Sequence, residues 1–438
     1  MTAWIAVATT GDDAAAEQAP HATPDAALAR PVRTIQAAIR RAVPGTAVLV
    51  REGLYVENLD VSPKGGLQSG RGFELLLLTA EQPLRIVGID GFDADGRPRA
   101  RVEGAEALST IFVNGVSHVK LHNLEIAGRI GLGSERDEAP IKFIGGRDEV
   151  APEDAAGWLE VAGCWIVGEG VDAIKAAKGQ GLRVAGCRFD VVVPESMVDF
   201  VSILDSEVRD CEFDGQAKDG ASAKGASGRI VWDGNVFRYS GYYCCAIGWR
   251  DPAITIGGIS WSGVVRDMPP ERWNIECFDS VARRNLFAGS FEHAVIFWGA
   301  RDCLVEDNFV AHAGAPGRPW GGRYAWRSET APSYPWRNQW MQFTDNAAAT
   351  WPEVKAMRAP TLDTLGFAPS GGNIVRDNVY ASGGGYAPGF SKDARGGEPN
   401  VIEGTRIAGE AEWRAEVGPI GVAAHDATAI YAALGLKA

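Results

Sequence analysis

The sequence predicts an all-β protein wound as a parallel β-helix, a solenoid with three short strands in each coil of about 23 residues. Three observations carry that expectation: a ladder of like residues at a near-constant spacing, short alternating runs between its rungs, and one amphipathic helix near the start. The rungs recur in matching contexts. AGC at 162–164, AGC at 185–187 and RDC at 209–211 are followed by DGNVF, RRNLF, EDNFV and RDNVY, with HNLEI as an earlier member. The ladder therefore reads Asn123, Cys164, Cys187, Cys211, Asn235, Asn285, Asn308 and Asn378, at spacings of 41, 23, 24, 24, 50, 23 and 70. The longer intervals mark inserted loops.

Each repeat holds a run before the rung (GLRVAG, GRIVWDG, CLVED), one after it (RFDVV, VFRYS, FVAHA) and a third further back (DAIKA, DFVSI, HAVIF). Alternation with a period of two, punctuated by Gly and Asp, reads as strand and turn. The rung occupies a tight turn, where a stacked Asn tolerates a left-handed backbone and bridges to its neighbour. Cysteine replaces it as a small buried side chain, so Cys164, Cys187 and Cys211 are expected to be free thiols. Upstream, Ile35, Ala38, Ile39, Ala42 and Val43 fall at helical spacing and supply an apolar stripe to close the open end of the coil stack. Downstream, HDATAIYAALGL reads as a closing helix, with Asp426 and Thr428 in its N-cap region.

Residues 31–57, PVRTIQAAIRRAVPGTAVLVREGLYVE, resemble the opening segment of right-handed parallel β-helix proteins of the pectate-lyase-like superfamily, in which a capping helix, a Pro-Gly turn and the first strand follow one another. The resemblance extends over residues 31–405 and implies a right-handed coil. It also implies a substrate groove along the first strand and the variable turn that precedes it. That superfamily holds lyases, glycosidases, esterases, epimerases, tailspikes and adhesins, so the resemblance is specific for the fold and not for a reaction. The expected organisation is one β-helix domain over residues 1–438. It comprises a capping helix at 31–43, loop insertions at 250–276 and 313–371, and a C-terminal cap at 404–438.

The chain has 438 residues and a formal charge of −13, from 43 basic and 56 acidic residues, which argues against nucleic acid and anionic lipid as partners. No apolar run approaches the roughly 18 residues of a membrane span, and the start lacks the pattern of a secretory leader. An extracellular or cell-surface location is nevertheless expected from the substrate class. The expected state is a monomer, or a trimer in a tailspike-like protein.

The heads of the candidate first strands carry Asp172, Asp199 and Asp219. If stacked at the strand spacing of about 4.8 Å, these carboxylates repel, so either a proton is shared or Ca²⁺ is bound by their oxygens. Aspartate is also a common turn residue, which is the plainer explanation. Alternation puts Lys175 and Lys224 on the outward face of the same strands, and His293 adds a titratable group two coils beyond Asp219. The insertion between Asn308 and Asn378 interleaves Trp320, Tyr324, Trp326 and Trp336 with Arg323, Arg327 and Arg337. The other insertion is bordered by Trp249 and Arg250, with Tyr242 and Tyr243 just ahead of it. Aromatic rings stack on sugars and arginine binds carboxylates in a fork, unless the rings simply pack their own loops.

These parts suit a polysaccharide lyase that cleaves a uronate-containing polymer by β-elimination. Arg250 or Ca²⁺ would neutralise the substrate carboxylate, and Lys224 or Lys175 would be the base if neighbouring cations depress its pKa. A C5-epimerase needs almost the same groups. A glycoside hydrolase would use two aspartates. A non-catalytic glycan-binding protein, tailspike-like or adhesive, would use the loops alone.

Overall fold

A computed structural model describes residues 2–14, 20–63, 77–129, 138–146, 155–214, 217, 219–225, 227–238, 243–248, 277–288, 293–298, 300–311, 339–344, 372–381, 389–392, 401–404 and 406–408. The chain groups into two compact units, one of Met1–Arg147, Pro152–Pro194 and Gly421–Ala438, the other of Asp148–Ala151 and Glu195–Ile420. Each contains a parallel β-helix, right-handed as parallel crossovers are. The expected C-terminal closing helix and nearly all of both loop insertions lie outside the described residues.

In the first unit every full coil contributes one strand to each of three faces. One face stacks Leu59–Val61, Ile111–Asn114, Ile141–Ile144 and Ile174–Gln180 in register, with Ile111, Ile141 and Ile174 at one level. The second runs from Ala3–Val7 through Thr46–Val50, Leu84–Gly88, Val119–His122 and Glu160–Ala162 to Arg183–Ala185. The third stacks Gly53–Val56, Ala100–Glu103, Glu125–Arg129, Trp165–Glu169 and Arg188–Val192. Alternate residues are buried because successive side chains point to opposite sides of a strand; Val102, Ile126, Ile166 and Phe189 are fully enclosed. The helix Ile35–Arg41 buries Ile35, Ala38 and Ile39, and Thr34 caps it by accepting a hydrogen bond from the Ala37 amide at 3.2 Å.

The second unit repeats the plan. Its first face stacks the start of Ser196–Arg209 with Asp219–Lys224, Tyr243–Gly248, His293–Trp298, Gln339–Thr344 and Gly389–Lys392. The later part of Ser196–Arg209 begins the second face, so two faces share one 14-residue strand that turns at Ser202 and Asp205, both with positive φ. Phe213, Phe237 and Phe287 stack inside the third face, with ring centroids 4.4 and 5.3 Å apart.

The ladder lies at the turn between the second and third faces, but its left-handed residue is not the rung. Gly163, Gly186, Asp210, Gly234, Arg284, Asp307 and Asp377 hold positive φ, each one residue ahead of a rung. The rung instead turns its side chain inward. Asn235, Asn285, Asn308 and Asn378 form a continuous chain, each amide nitrogen donating to the next carbonyl oxygen at 2.9–3.0 Å. Asn123 is itself left-handed at φ 53, and Leu124 occupies the level of Cys164, so the first expected rung is displaced by one residue. Cys164, Cys187 and Cys211 are buried free thiols.

Candidate active site

The parallel stacking that builds the second unit fixes which strand-head residues share a level. Ser196 is in register with Asp219, Asp219 with Tyr243, and Tyr243 with His293. One hydroxyl, one carboxylate, one phenol and one imidazole residue thus follow one another at the strand spacing of about 4.8 Å. Three residues further along, Asp199 is in register with Ser222. Asp199 and Asp219 therefore do not form the expected carboxylate column, because the coil repeat carries Asp199 onto Ser222 and Asp219 onto Tyr243.

Asp199 has no solvent exposure, and Ser222 and Lys224 are among the groups that compensate its side chain. The Ser222 hydroxyl donates to Oδ1 at 2.7 Å, and Lys224 Nζ lies 3.2 Å from the same oxygen. Ser196 Oγ is 3.0 Å from Ser222 Oγ, which joins the strand-head row to the ion pair by one hydrogen bond. Alternating with this polar set are Val198, Phe200, Ala221 and Ala223, all at 0 % exposure. Lys224 lies on the outward side where alternation places it, yet its side chain is only 5 % exposed. A buried ammonium must be paired, and Asp199 is the partner that makes its burial tolerable.

A similar pair occurs in the first unit, where Lys175 Nζ lies 3.2 Å from Asp172 Oδ2 and Asp172 is fully buried. Both lysines face carboxylates, and opposite charges at this distance offset part of the cost of burial. Burial lowers another residue of the Lys175 strand, Lys178, to about 8. Carboxylates with the chemistry to hold a divalent cation are present in both units, Asp172 in the first and Glu195 and Asp199 in the second.

Asp219, Tyr243 and His293 are placed here by backbone register alone. Tyr242, Trp249, Arg250, Trp320, Arg323, Tyr324, Trp326, Arg327, Trp336 and Arg337 lie outside the described residues. Ser196, Ser222 and Glu195 were missed in the sequence. The first two were within reach, since adding 23 to Asp199 gives Ser222 and subtracting it from Asp219 gives Ser196.

No family model matches this sequence, and no curated protein does. Among solved structures, the chain is similar to the A-module of a mannuronan C-5 epimerase from Azotobacter vinelandii, at 10% identity and a TM-score of 0.44, covering 83% of this chain and 86% of that one. It is similar to a lacto-N-biosidase from Eubacterium ramulus at 12% identity and a TM-score of 0.44, over 92% of this chain and 67% of that one. It is also similar to a family 28 exopolygalacturonase from Yersinia enterocolitica at 11% identity and a TM-score of 0.36, over 85% and 62% of the two chains. At these scores the likenesses carry no argument about the reaction.

Proposed function

We propose that the protein is a polysaccharide lyase that cleaves a uronate-containing polymer by β-elimination, acting outside the cell or at its surface. The observation that carries this reading is the buried Lys224–Asp199 pair beside Ser222, joined through Ser196 to the level of Asp219, Tyr243 and His293. Burying such a charge pair costs several kcal/mol in rough terms, so its presence points to use.

Elimination requires a cation for the substrate carboxylate, a base for the C5 hydrogen and an acid for the departing oxygen. Lys224, ion-paired with Asp199, suits the first role. His293 suits the base, since imidazole titrates near neutral pH. Tyr243 is one coil away from it and suits the acid, its phenol proton passing to the leaving oxygen. The base takes the C5 hydrogen, the electron pair forms the C4–C5 double bond, and the C4–O bond breaks. Arg250 and the Trp and Arg residues of the two insertions are assigned to gripping the flanking sugars. Asp199 already has a lysine as counter-charge, and Ca²⁺ at Glu195 and Asp199 would neutralise the same carboxylate.

Digestion of alginate, pectate, glycosaminoglycan and bacterial exopolysaccharide tests the reading. The expected product absorbs in the ultraviolet through its conjugated double bond. Reducing ends without that absorbance identify a hydrolase, inversion at C5 without cleavage identifies an epimerase, and binding with no product identifies a glycan-binding protein; each would replace the proposal. Digestion with and without a chelator tests for Ca²⁺.

A further inference from the structure

The outer side of the third face in the first unit holds a cleft that the proposed reaction does not use. Its position follows from the register. Arg101, Glu125, Trp165 and Arg188 form one outward row of large side chains. The next row is Glu103, Ala127, Val167 and Asp190, with small residues in its middle, and Gly128 is level with Gly168 beside them. Large residues around small ones leave a cleft of about 360 Å³, within the range of small-ligand sites. The floor is open because the two glycine backbones approach closely: a Cβ on Gly168 would stand 2.3 Å from the Gly128 carbonyl oxygen.

The cleft is lined by Arg97, Arg101 and Arg129 and by Glu103, Glu125 and Asp190. Arg101 lies within 3.4 Å of Glu103 and 3.2 Å of Glu125, and Arg129 lies 2.6 Å from Glu103. Arg97 also acts on Glu125 electrostatically, but it rests its guanidinium 4.7 Å from the Trp165 ring centroid, and its buried Nε has no hydrogen-bond partner among the described residues. Arg188 stacks on the same ring at 4.4 Å, so the indole holds guanidinium groups rather than offering a face to a sugar. What the cleft offers is a positioned guanidinium fork, an exposed carboxylate at Asp190 and a floor of backbone.

We propose that this cleft binds one sugar acid, a pyranose carrying a carboxylate. The carboxylate pairs with Arg97, ring hydroxyls donate to Asp190, and the ring lies against Gly128 and Gly168. Arginine suits this role because its planar donors match a carboxylate in a bidentate geometry. The inference rests on no step assigned to Lys224 or Asp199.

Titration of the full chain with glucuronate, followed by ligand-observed NMR, is the test, with glucose and inorganic phosphate as parallel probes. Saturable glucuronate binding is expected, weaker by about tenfold or more in Arg97→Ala and in Asp190→Ala. Thermal melting checks that each variant is folded. Equal affinity for glucose or for phosphate would overturn the sugar-acid assignment. So would an Arg97→Ala variant that binds as the parent does, or no binding at about 20 mM glucuronate.

Discussion

Two carboxylates, each held by cationic side chains, show what burial does to the meaning of an ion pair. Glu160, in the first unit, lies 2.6 Å from His122 Nε2, 3.1 Å from Lys120 Nζ and 4.0 Å from Arg183, with a fifth of its side chain in water. Asp199, in the second, has no exposure, and Lys224 and the Ser222 hydroxyl both approach its Oδ1. Glu160 sits among several donors at a partly wet surface, where removing one leaves the others and solvent. At Asp199, loss of Lys224 removes a cation 3.2 Å from a carboxylate that water does not reach. The first arrangement stabilises a face of the coil; the second is costly to build and easily broken, which is why the reaction is assigned to it.

The contrast is sharpest in Lys224→Ala. Unpairing a buried carboxylate is expected to cost about 3–5 kcal/mol of stability, together with at least about a hundredfold loss of turnover. Stability and activity are separated by the double variant Asp199→Asn with Lys224→Met, which removes both charges. It is expected to melt within a few degrees of the parent and to remain inactive, as checked by calorimetry and product absorbance.

At Glu160 the response should be to pH. Burial alone would raise its pKa, but the hydrogen bond and charge of His122, followed by Lys120, override this and bring it from 4.5 to about 2. A depressed folded-state pKa stabilises the fold above the unfolded value and loses that contribution as pH falls. Discounted for solvent screening at this partly wet site, on the order of 1–2 kcal/mol should be present above about pH 4.5 and disappear between roughly pH 4.5 and 2. Urea melts across that window should show the loss, and Glu160→Gln should flatten it.

A smaller effect separates the two kinds of rung. Asn285 accepts from the Asn235 amide at 2.9 Å and donates to the Trp232 carbonyl at 3.1 Å, so Asn285→Ala should cost about 2–3 kcal/mol by stranding both. The Cys187 thiol donates weakly to the Val161 and Ala185 carbonyls at 3.4 Å, and Cys187→Ala should cost about 1 kcal/mol. Equal losses in chemical denaturation would contradict this difference.

The ladder was legible because it is a spacing, and a spacing survives when its residues change from Cys to Asn. The left-handed position was hidden because Gly, Asp and Arg all occupy it, leaving no common chemistry to notice one residue ahead of the rung. Asp199 and Lys224 were found as chemically suitable residues, but their burial depends on what packs against the strand and cannot be read from alternation. The false alignment of Asp199 with Asp219 came from matching residue type at strand heads. The repeat fixes the level, and Asp219, Tyr243 and His293 follow the same 24- and 50-residue steps as Cys211, Asn235 and Asn285. The cleft at Gly128 and Gly168 escaped notice because its small residues become neighbours only once the third-face register is known.

The central claim is that a uronate polymer is cleaved by elimination at the level of Tyr243 and His293 with Lys224 as the cation. Its most direct test is the ultraviolet absorbance formed on a panel of uronate polymers by the parent, by His293→Ala and by the Asp199→Asn, Lys224→Met double variant. The account predicts absorbance with at least one polymer from the parent and none above background from either folded variant. Absorbance at the parent's rate from the double variant, or from no polymer with the parent, would contradict it.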